Sequence, residues 1–393
     1  MVSRQATAIT SSVQSERPSK PVLEPLSVPF VDLGPSHAPL LTRVLSRIGA
    51  TIERGDFTNG ADVTEFEDAF ADWTGRVHCV GLASGLDALR LGLHATGLQR
   101  DQGVAVPAAT FAATFEAVLQ AAGTPVVVDV DERDYGLDVR QVDAVGDQVS
   151  HVLPVHLYGQ LADMRALAEV AERRQLTVVE DACQAHGAAR DGLRPGDVGT
   201  VAAFSFYPSK NLGAFGDAGA AVTDDGDVAA SMRALRVHGE TRKYHHEHVG
   251  YTARLDTIQA GVLAEKLPFL VAWNAERRRS AAFYTSALAG LDGLRLPPEA
   301  PGSEPVWHLY VVRSEAPEQL AEFLRERGIQ TGRHYPEPVH LSPAYRGLGY
   351  APGDFPVAES LAREGLSLPL YPGISERQLE HVCTSLAEYF GAA

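Results

Sequence analysis

Short apolar runs alternate with helical patterns over the first two thirds of the chain, and this alternation restricts the fold more than any other feature. Several of the runs are apolar without interruption, which is typical of strands buried on both faces of a sheet. Strands separated by helices favour an α/β sheet with both faces covered. The predicted strands are 78–82, 103–107, 125–130, 150–155, 176–181, 200–206 and 218–223.

The last third has a different pattern. From about Leu255 a long amphipathic helix is predicted, with a kink at Pro268. The elements predicted after it are a strand at 306–313, a helix at 317–328, a strand at 329–335 and a closing helix from about Ser375. We therefore expect a large domain over 28–260 and a small α+β C-terminal domain over 261–393. Residues 1–27 are polar and rich in Ser, Thr, Gln and Pro, which predicts a disordered tail.

Composition excludes several classes of partner. The net charge of −16 disfavours nucleic acid and anionic membranes as partners. No apolar run approaches the roughly 18 residues of a membrane span. The cysteines, Cys79, Cys183 and Cys383, are too scattered for a disulfide framework or a zinc site. These features predict a cytoplasmic protein without a bound metal.

Two strand ends carry groups that suit a charged ligand. The strand that ends at Leu82 enters Ala83-Ser84-Gly85 and then a predicted helix, whose free N–H groups and dipole favour an anion such as phosphate. A capped turn without a ligand would look the same. Asp181 ends another buried strand, where a carboxylate can hold a ring nitrogen protonated, bind a metal or cap the next segment.

A third strand end carries a lysine in a chain that otherwise uses arginine. The 34 basic residues include lysine at positions 20, 210, 243 and 266 alone. Lys210 could be a solvated turn residue, or it could form an imine, which a guanidinium cannot do. Pyridoxal phosphate would use all three strand ends: Lys210 for its aldehyde, Asp181 for its pyridinium nitrogen and the 84–87 turn for its phosphate.

Other polar clusters are interpreted without a ligand. The side chains of His245-His246-Glu247-His248 are consecutive and do not converge, so no metal site is predicted there. The run 276–279, Glu-Arg-Arg-Arg, is interpreted as a solvated helix face. His156 either faces the pocket or is a buried histidine with satisfied hydrogen bonds.

Longer motifs resemble a known family. VVEDACQAHGA (178–188) followed by AAFSFYPSKNLGAFGDAGAAVT (202–223) is similar to the DegT/DnrJ/EryC1/StrS sugar aminotransferases, and the match continues through ASGLDALRLGL, GYTARLDTIQAGVL and SLPLYP. The resemblance covers almost all of the chain after the tail. It implies an aspartate-aminotransferase-like (fold type I) large domain with a mixed, mostly parallel sheet. It also implies pyridoxal phosphate as the cofactor, with pyridoxamine phosphate as its intermediate form, and a homodimer with shared active sites.

The resemblance also implies roles for individual residues. Lys210 is the catalytic lysine. The cofactor-binding residues are Gly85, Leu86, Asp87, Phe111, Asp181, Gln184, Ser205 and Thr252, and the substrate residues are Tyr207, His334 and Tyr335. One position departs from the family pattern, because similar enzymes have asparagine, which reaches the phosphate in the other subunit, where this chain has Thr252. Threonine also has a hydroxyl donor, but its side chain is shorter than that of asparagine and reaches less far toward that phosphate.

The expected reaction is amino transfer from L-glutamate to a nucleotide-linked, dTDP-type, 3-keto-6-deoxyhexose in deoxyaminosugar biosynthesis for an antibiotic. FSFYPSKNLG and SGLDAL resemble enzymes that act at C-3, whereas C-4 enzymes more often have FSFHP, so C-4 is the alternative. Two more distant alternatives remain: a pyridoxal-phosphate sugar dehydratase and a non-catalytic regulator. The dehydratases carry histidine where this chain has Lys210.

Overall fold

The computed structural model describes residues 26–391, so the predicted tail lies outside the described residues except for Leu26 and Ser27. The strands are β1 (His78–Leu82), β2 (Gly103–Pro107), β3 (Thr124–Val128), β4 (Val149–Val152), β5 (Thr177–Asp181), β6 (Ala189–Arg190), β7 (Val201–Ser205), β8 (Gly219–Thr223), β9 (Glu240–Arg242), β10 (His245–His246), β11 (Ser303–Glu304), β12 (Tyr310–Arg313) and β13 (Gly365–Leu368).

Helices connect and cover these strands. They are α1 (Gly34–His37), α2 (Leu41–Arg54), α3 (Ala61–Thr74), α4 (Gly85–Ala95), α5 (Ala112–Gln120), α6 (Val139–Ala144), α7 (Met164–Arg174), α8 (Gly226–Leu235), α9 (Thr257–Lys266), α10 (Leu270–Ala287), α11 (Pro317–Glu326), α12 (Pro356–Glu364) and α13 (Glu376–Tyr389). Within the described range, no helix is both long enough and apolar enough to cross a membrane.

The central sheet has the order β1-β8-β7-β5-β4-β2-β3. Strand β8 is antiparallel to both of its neighbours, and the pairs from β7 to β3 are parallel. The predicted mixed, mostly parallel α/β sheet is therefore confirmed. Strand β4 ends at Val152, earlier than predicted, because Pro154 has no N–H to continue the ladder.

Both faces of this sheet are buried, which explains the uninterrupted apolar runs. Along β7, Val201 and Ala203 belong to one core cluster, while Ala202 and Phe204 belong to the cluster on the opposite face. Helices α4 and α5 pack on one side, and α3 and α9 cover the other. Polar side chains at the carboxyl ends of the parallel strands therefore meet at one edge, where ligands can reach them.

The connection to the C-terminal unit is a broken helix, as predicted. Helix α9 ends at Lys266, a 3-10 turn spans Leu267–Phe269, and α10 begins at Leu270. Pro268 cannot donate a backbone hydrogen bond, so the chain bends there. The domain boundary at residue 260 stays a prediction.

Two predictions for the C-terminal unit are wrong. The predicted strand at 329–335 is absent from the described structure, because Ile329 bridges to Val28 while Gly332 bridges to Ser367, so no ladder forms. The partner of β12 is instead β13, which the sequence analysis did not predict. Strand β12 is also shorter than the predicted 306–313, because Trp307 has a left-handed φ of 45°.

Candidate active site

A cavity of about 470 Å³ lies at the carboxyl ends of β5 and β7, beside the first turn of α4. Its volume is in the range of small-molecule and cofactor sites. It is lined by ten of the residues singled out from the sequence: Gly85, Leu86, Phe111, Asp181, Gln184, Ser205, Tyr207, Lys210, His334 and Tyr335. Asp87 and Thr252 do not line it.

The first turn of α4 offers free hydrogen-bond donors. Ser84 is the N-cap, and its Oγ accepts a hydrogen bond from the N–H of Asp87 at 3.0 Å. The N–H of Asp87 is thus already used, which argues against its predicted part in binding phosphate. Among the described residues, the N–H groups of Gly85 and Leu86 have no acceptor. These two donors, with the helix dipole, form an anion site.

Position 85 has room for glycine alone. A Cβ atom there would lie 2.6 Å from Sγ of Cys183 and 2.8 Å from Cβ of Ser205. Both distances are below van der Waals contact, so any side chain would push the turn away from the ends of β5 and β7. The missing side chain lets the anion site, Ser205 and the β5 terminus share one small cavity.

Asp181 is buried and has bonding capacity left. Its Oδ2 accepts a hydrogen bond from Thr114 at 2.9 Å, and its Oδ1 accepts one from the N–H of Cys183 at 3.1 Å. Among the described residues no lysine, arginine or histidine forms a salt bridge with it, and Lys210 interacts with it only at longer range. A buried carboxylate is costly without a cationic partner. A protonated ring nitrogen in the cavity would supply that partner.

The neighbouring carboxylate, Glu180, has no such spare capacity. It accepts hydrogen bonds from His156 at 2.8 Å, from the N–H of Gly196 at 3.0 Å and from the N–H of Gly199 at 2.6 Å. The Nδ1 atom of His156 accepts from the N–H of Ala162 at 3.3 Å, so its Nε2 carries the proton given to Glu180. His156 is therefore the buried, satisfied histidine of the two alternatives.

Lys210 presents an amine without a protein partner. It follows β7 in a turn closed by its own N–H, which donates to the carbonyl of Tyr207 at 2.8 Å. Within residues 26–391 its Nζ donates no hydrogen bond. Burial lowers the pKa of Lys210, and Cys183 and Asp181 act in the opposite direction. A half-buried amine that loses its proton readily is suited to imine formation.

Gln184 connects Tyr335, a residue of the cavity wall, to Tyr158 through hydrogen bonds. Its Oε1 accepts from the N–H of Tyr158 at 2.7 Å, and its Nε2 donates to the hydroxyl of Tyr335 at 3.2 Å. The ring of Tyr335 lies 5.4 Å from that of Phe111. The predicted cofactor-binding role of Gln184 stays a prediction, and both of the bonds described here are to protein groups.

His334 is held in the same wall and is neutral. Its Nδ1 lies 2.8 Å from Oγ of Ser367. Burial and, to a lesser extent, Lys210 lower the pKa of His334 to about 4. It can therefore exchange hydrogen bonds with a substrate hydroxyl without adding a charge.

Two residues of the site were missed by sequence reasoning. Thr114 on α5 bonds to Asp181, and His308 lines the cavity with its Nδ1 3.2 Å from Oδ1 of Asn211. These pairs are 67 and 97 residues apart in sequence, so periodicity gives no hint of them. The only signal for them in the sequence is that the segments ATFAAT (109–114) and WHLYVVR (307–313) also resemble the family named above.

Thr252 lies outside the cavity of its own chain. It is exposed, and its Oγ1 is 3.2 Å from Nε2 of His238. Its predicted contact concerns the partner's site and stays a prediction. Nearby, His245 and His246 lie in an exposed hairpin, and no group of three possible metal ligands occurs within residues 26–391.

The interpretation of 276–279 as a solvated face is wrong for Arg277. This guanidinium is buried and donates to the carbonyls of Trp307, His308 and Leu370 at 2.9 to 3.3 Å. Burial lowers the pKa of Arg277 to about 10. Among residues 26–391 these three carbonyls accept from no other donor, so the inward position of Arg277 satisfies them.

These features fit pyridoxal phosphate. The free N–H groups at the start of α4 suit its phosphate, Asp181 suits its ring nitrogen, and the Lys210 amine suits its aldehyde. All three face one cavity.

Comparisons with known proteins agree with this geometry. The family model described as "DegT/DnrJ/EryC1/StrS aminotransferase family" matches residues 42–387. The dTDP-3-amino-3,4,6-trideoxy-alpha-D-glucose transaminase of Streptomyces venezuelae is 45% identical over 92% of this chain and 96% of that protein.

Solved structures extend the likeness to the fold and the cofactor. The crystal structure of S. venezuelae DesV in complex with a ketimine intermediate has a TM-score of 0.90 and 45% identity, covering 93% of this chain and 98% of that one. NtdA from Bacillus subtilis, solved with bound cofactor PMP, has a TM-score of 0.86 and 29% identity, covering 93% and 85%. This chain therefore belongs to the DegT/DnrJ/EryC1/StrS aminotransferase family, and its cofactor is pyridoxal phosphate.

Proposed function

We propose that this aminotransferase moves an amino group from L-glutamate to the C-3 keto group of a dTDP-linked 6-deoxyhexose. The observation that carries the proposal is the unpartnered Lys210 amine in one cavity with Asp181 and the α4 anion site. The choice of C-3 rests on the FSFYPSKNLG motif and on the 45% identical relative, whose name places the amino group at C-3 of a dTDP sugar.

Each residue of the site has a separate role in the proposed reaction. When bound, the cofactor supplies an electron sink for the carbon that loses or gains a proton. Asp181 accepts the ring N–H and keeps that ring protonated. The Nζ of Lys210 takes the proton from the donor's carbon and returns one to the sugar carbon. Gly85 and Leu86 hold the phosphate in place through their N–H groups.

A partner subunit would complete the charge balance of the site. The proposed substrates and the cofactor phosphate are all anionic, yet Lys210 is the only lysine or arginine among the described residues that line the cavity. Glu116 and Asp217, which also line it, add negative charge. We therefore propose a homodimer in which the second subunit supplies cations, with Thr252 close to the shared site.

The cellular setting belongs to the same proposal. A nucleotide-linked keto sugar and L-glutamate are both cytoplasmic metabolites, so the enzyme would act in the cytoplasm. Its product would be a nucleotide-linked aminosugar of the kind attached to an antibiotic. Neither nucleic acid nor a membrane is needed as a partner.

The decisive experiment offers the purified protein pyridoxal phosphate, L-glutamate and matched 3-keto and 4-keto dTDP-6-deoxyhexoses. Products are analysed by mass spectrometry and NMR, with UDP-linked versions as the nucleotide control. We expect an amino group at C-3 of the dTDP sugar and stoichiometric 2-oxoglutarate. Amination at C-4 alone would assign the alternative regiochemistry, loss of a hydroxyl without amination would indicate a dehydratase, and a colourless protein that binds no cofactor would indicate a regulator.

A further inference from the structure

Lys266 is a buried lysine for which the proposed reaction gives no role. It is 3% exposed at the end of α9, and within residues 26–391 it forms no salt bridge. Its Nζ donates to the carbonyl of Gly213 and lies 3.0 Å from Nε2 of His37. A buried ammonium that has only neutral partners is expensive to maintain, so its placement under this loop needs a physical reason.

The carbonyl that Lys266 holds belongs to the loop that carries Lys210. This loop leaves β7 after Ser205 and reaches β8 at Gly219. Within the loop, the N–H of Ala214 donates to the carbonyl of Phe206 at 2.7 Å. Gly213 touches the outgoing arm so closely that a Cβ atom on it would lie 2.3 Å from the carbonyl oxygen of Pro208. A displacement of Gly213 is therefore transmitted to Pro208, two residues before Lys210.

Helix α9 holds the returning arm at two points. Besides Lys266, Gln259 accepts a hydrogen bond from the N–H of Phe215 at 2.8 Å. The two side chains are seven residues apart, which is two helical turns, so they lie on the same face of α9. The Nζ of Lys266 also lies 5.4 Å from the ring of Phe215. Helix α9 thus binds two nearby residues of the loop, Gly213 and Phe215.

We propose that Lys266 is a positioning residue for Lys210: its amine holds the carbonyl of Gly213 and so fixes the loop that carries the reactive amine. The inference rests on the proposed role of Lys210. A charged donor makes a stronger and shorter hydrogen bond to a carbonyl than a neutral one. The neighbouring titratable groups are His37, whose pKa burial lowers to about 4, and Glu265 on α9, which pairs with Arg43.

The test compares the holoenzyme with Lys266→Met, Lys266→Gln and the exposed control Lys243→Met. Hydrogen exchange is followed at the N–H groups of residues 210–215, and the visible absorbance of the cofactor bound to Lys210 is titrated with pH. We expect about tenfold faster exchange in Lys266→Met, a smaller increase in Lys266→Gln and no change in Lys243→Met. We also expect the absorbance midpoint to rise by about one pH unit, because a loosened loop lets water reach the Lys210 nitrogen.

A purely structural lysine would lower the melting temperature and leave the absorbance midpoint in place. Unchanged exchange and an unchanged midpoint in either folded variant would overturn the inference. Lys266→Gln keeps a neutral donor and serves if Lys266→Met does not fold. Borohydride reduction and peptide mapping of the native enzyme distinguish failure of the proposed function from failure of the role of Lys266. Cofactor fixed at a residue other than Lys210 rejects the proposed function. Cofactor fixed on Lys210, with an absorbance midpoint that does not move in the Lys266 variants, rejects only the role of Lys266.

Discussion

The two faces of β5 at its carboxyl end use the same chemical group for opposite purposes. Glu180 accepts three hydrogen bonds from within the chain and is completely buried. Asp181, the next residue, accepts two and faces the cavity. Adjacent residues of a strand point to opposite faces, so one strand end serves both regions. The difference shows that unused bonding capacity, more than burial, distinguishes the active site from the supporting structure.

Lys266 and Lys210 differ in the same way as Glu180 and Asp181. Lys266 is buried with two partners, Gly213 and His37, whereas the Nζ of Lys210 has none among the described residues. Burial lowers the pKa of both amines. What separates them is whether the rest of the chain already satisfies the amine. Five predictions test this distinction.

The largest effect is expected at Lys210. Lys210→Ala should lower turnover by at least about 10⁴-fold, because the imine-forming amine and the proton carrier are lost together. Lys210→Arg should be equally inactive and should retain no cofactor after borohydride treatment. Activity is measured with the keto sugar panel, and circular dichroism checks the fold. An active arginine variant would contradict the imine mechanism.

Asp181→Asn should come next, lowering kcat/KM by about 10² to 10³-fold. Asparagine keeps the shape and can still bond to Thr114, but it cannot hold a ring nitrogen protonated. The free energy of unfolding of the cofactor-free chain should change by only about 1 kcal/mol. Full activity in this variant would show that the open face of β5 does not contact the ring.

Glu180→Gln is the matched change on the closed face, and its effect should fall on stability. The amide would point a donor at the N–H of Gly196 or Gly199, leaving a buried donor unsatisfied and weakening the bond to His156. We expect a loss of about 3 kcal/mol in the free energy of unfolding. At temperatures where the variant is folded, kcat/KM should stay within about threefold of the native value. A large catalytic defect without destabilisation would contradict the distinction drawn between Glu180 and Asp181.

The pH dependence of stability should report the buried Lys266. Burial lowers the pKa of Lys266 from 10.5 to about 8, so between these values the unfolded chain binds more protons than the folded one. Stability therefore rises with pH in this window, by up to about 3 kcal/mol from this group. Urea midpoints of the native chain and Lys266→Met at pH 8 and pH 10 measure it. Equal pH dependence in both proteins would show that Lys266 titrates normally.

The smallest effect is expected at Thr114. Thr114→Val removes the hydroxyl that donates to Asp181 and keeps the branched shape. The loss of one hydrogen bond of about 1 kcal/mol should lower kcat/KM by roughly fivefold. Thr114→Ser restores the donor and should return most of the activity. Equal activity of all three forms would mean that the position of Asp181 is set by Cys183 alone.

The sequence predicted those parts of the molecule in which local pattern and tertiary structure agree. The continuous apolar runs identified the sheet because both of its faces are covered. Lys210 and Asp181 were recognisable because each is a chemically unusual residue at a strand end. The resemblance to a family then joined them to Gly85 and Ser205, and the cavity contains all four.

The remainder depended on contacts between distant segments. Nothing local indicates that Arg277 turns inward to three carbonyls, or that His308 meets Asn211. The 329–335 segment has the residues of a strand, but its neighbours lie at opposite ends of the chain. A local pattern of charged or apolar residues indicates which structures a segment can form. The packing of the whole chain determines which of them it adopts.

The close packing at Gly85 divides the cavity into a part that tolerates change and a part that does not. Any side chain there would collide with Cys183 and Ser205, so substitutions at this turn would open the sheet edge and disturb every ligand at once. Tyr207, which is assigned to the substrate and not to the cofactor, is by contrast 54% exposed at the cavity mouth. Engineering of sugar preference should therefore draw its variants from the mouth and leave the glycine turn untouched.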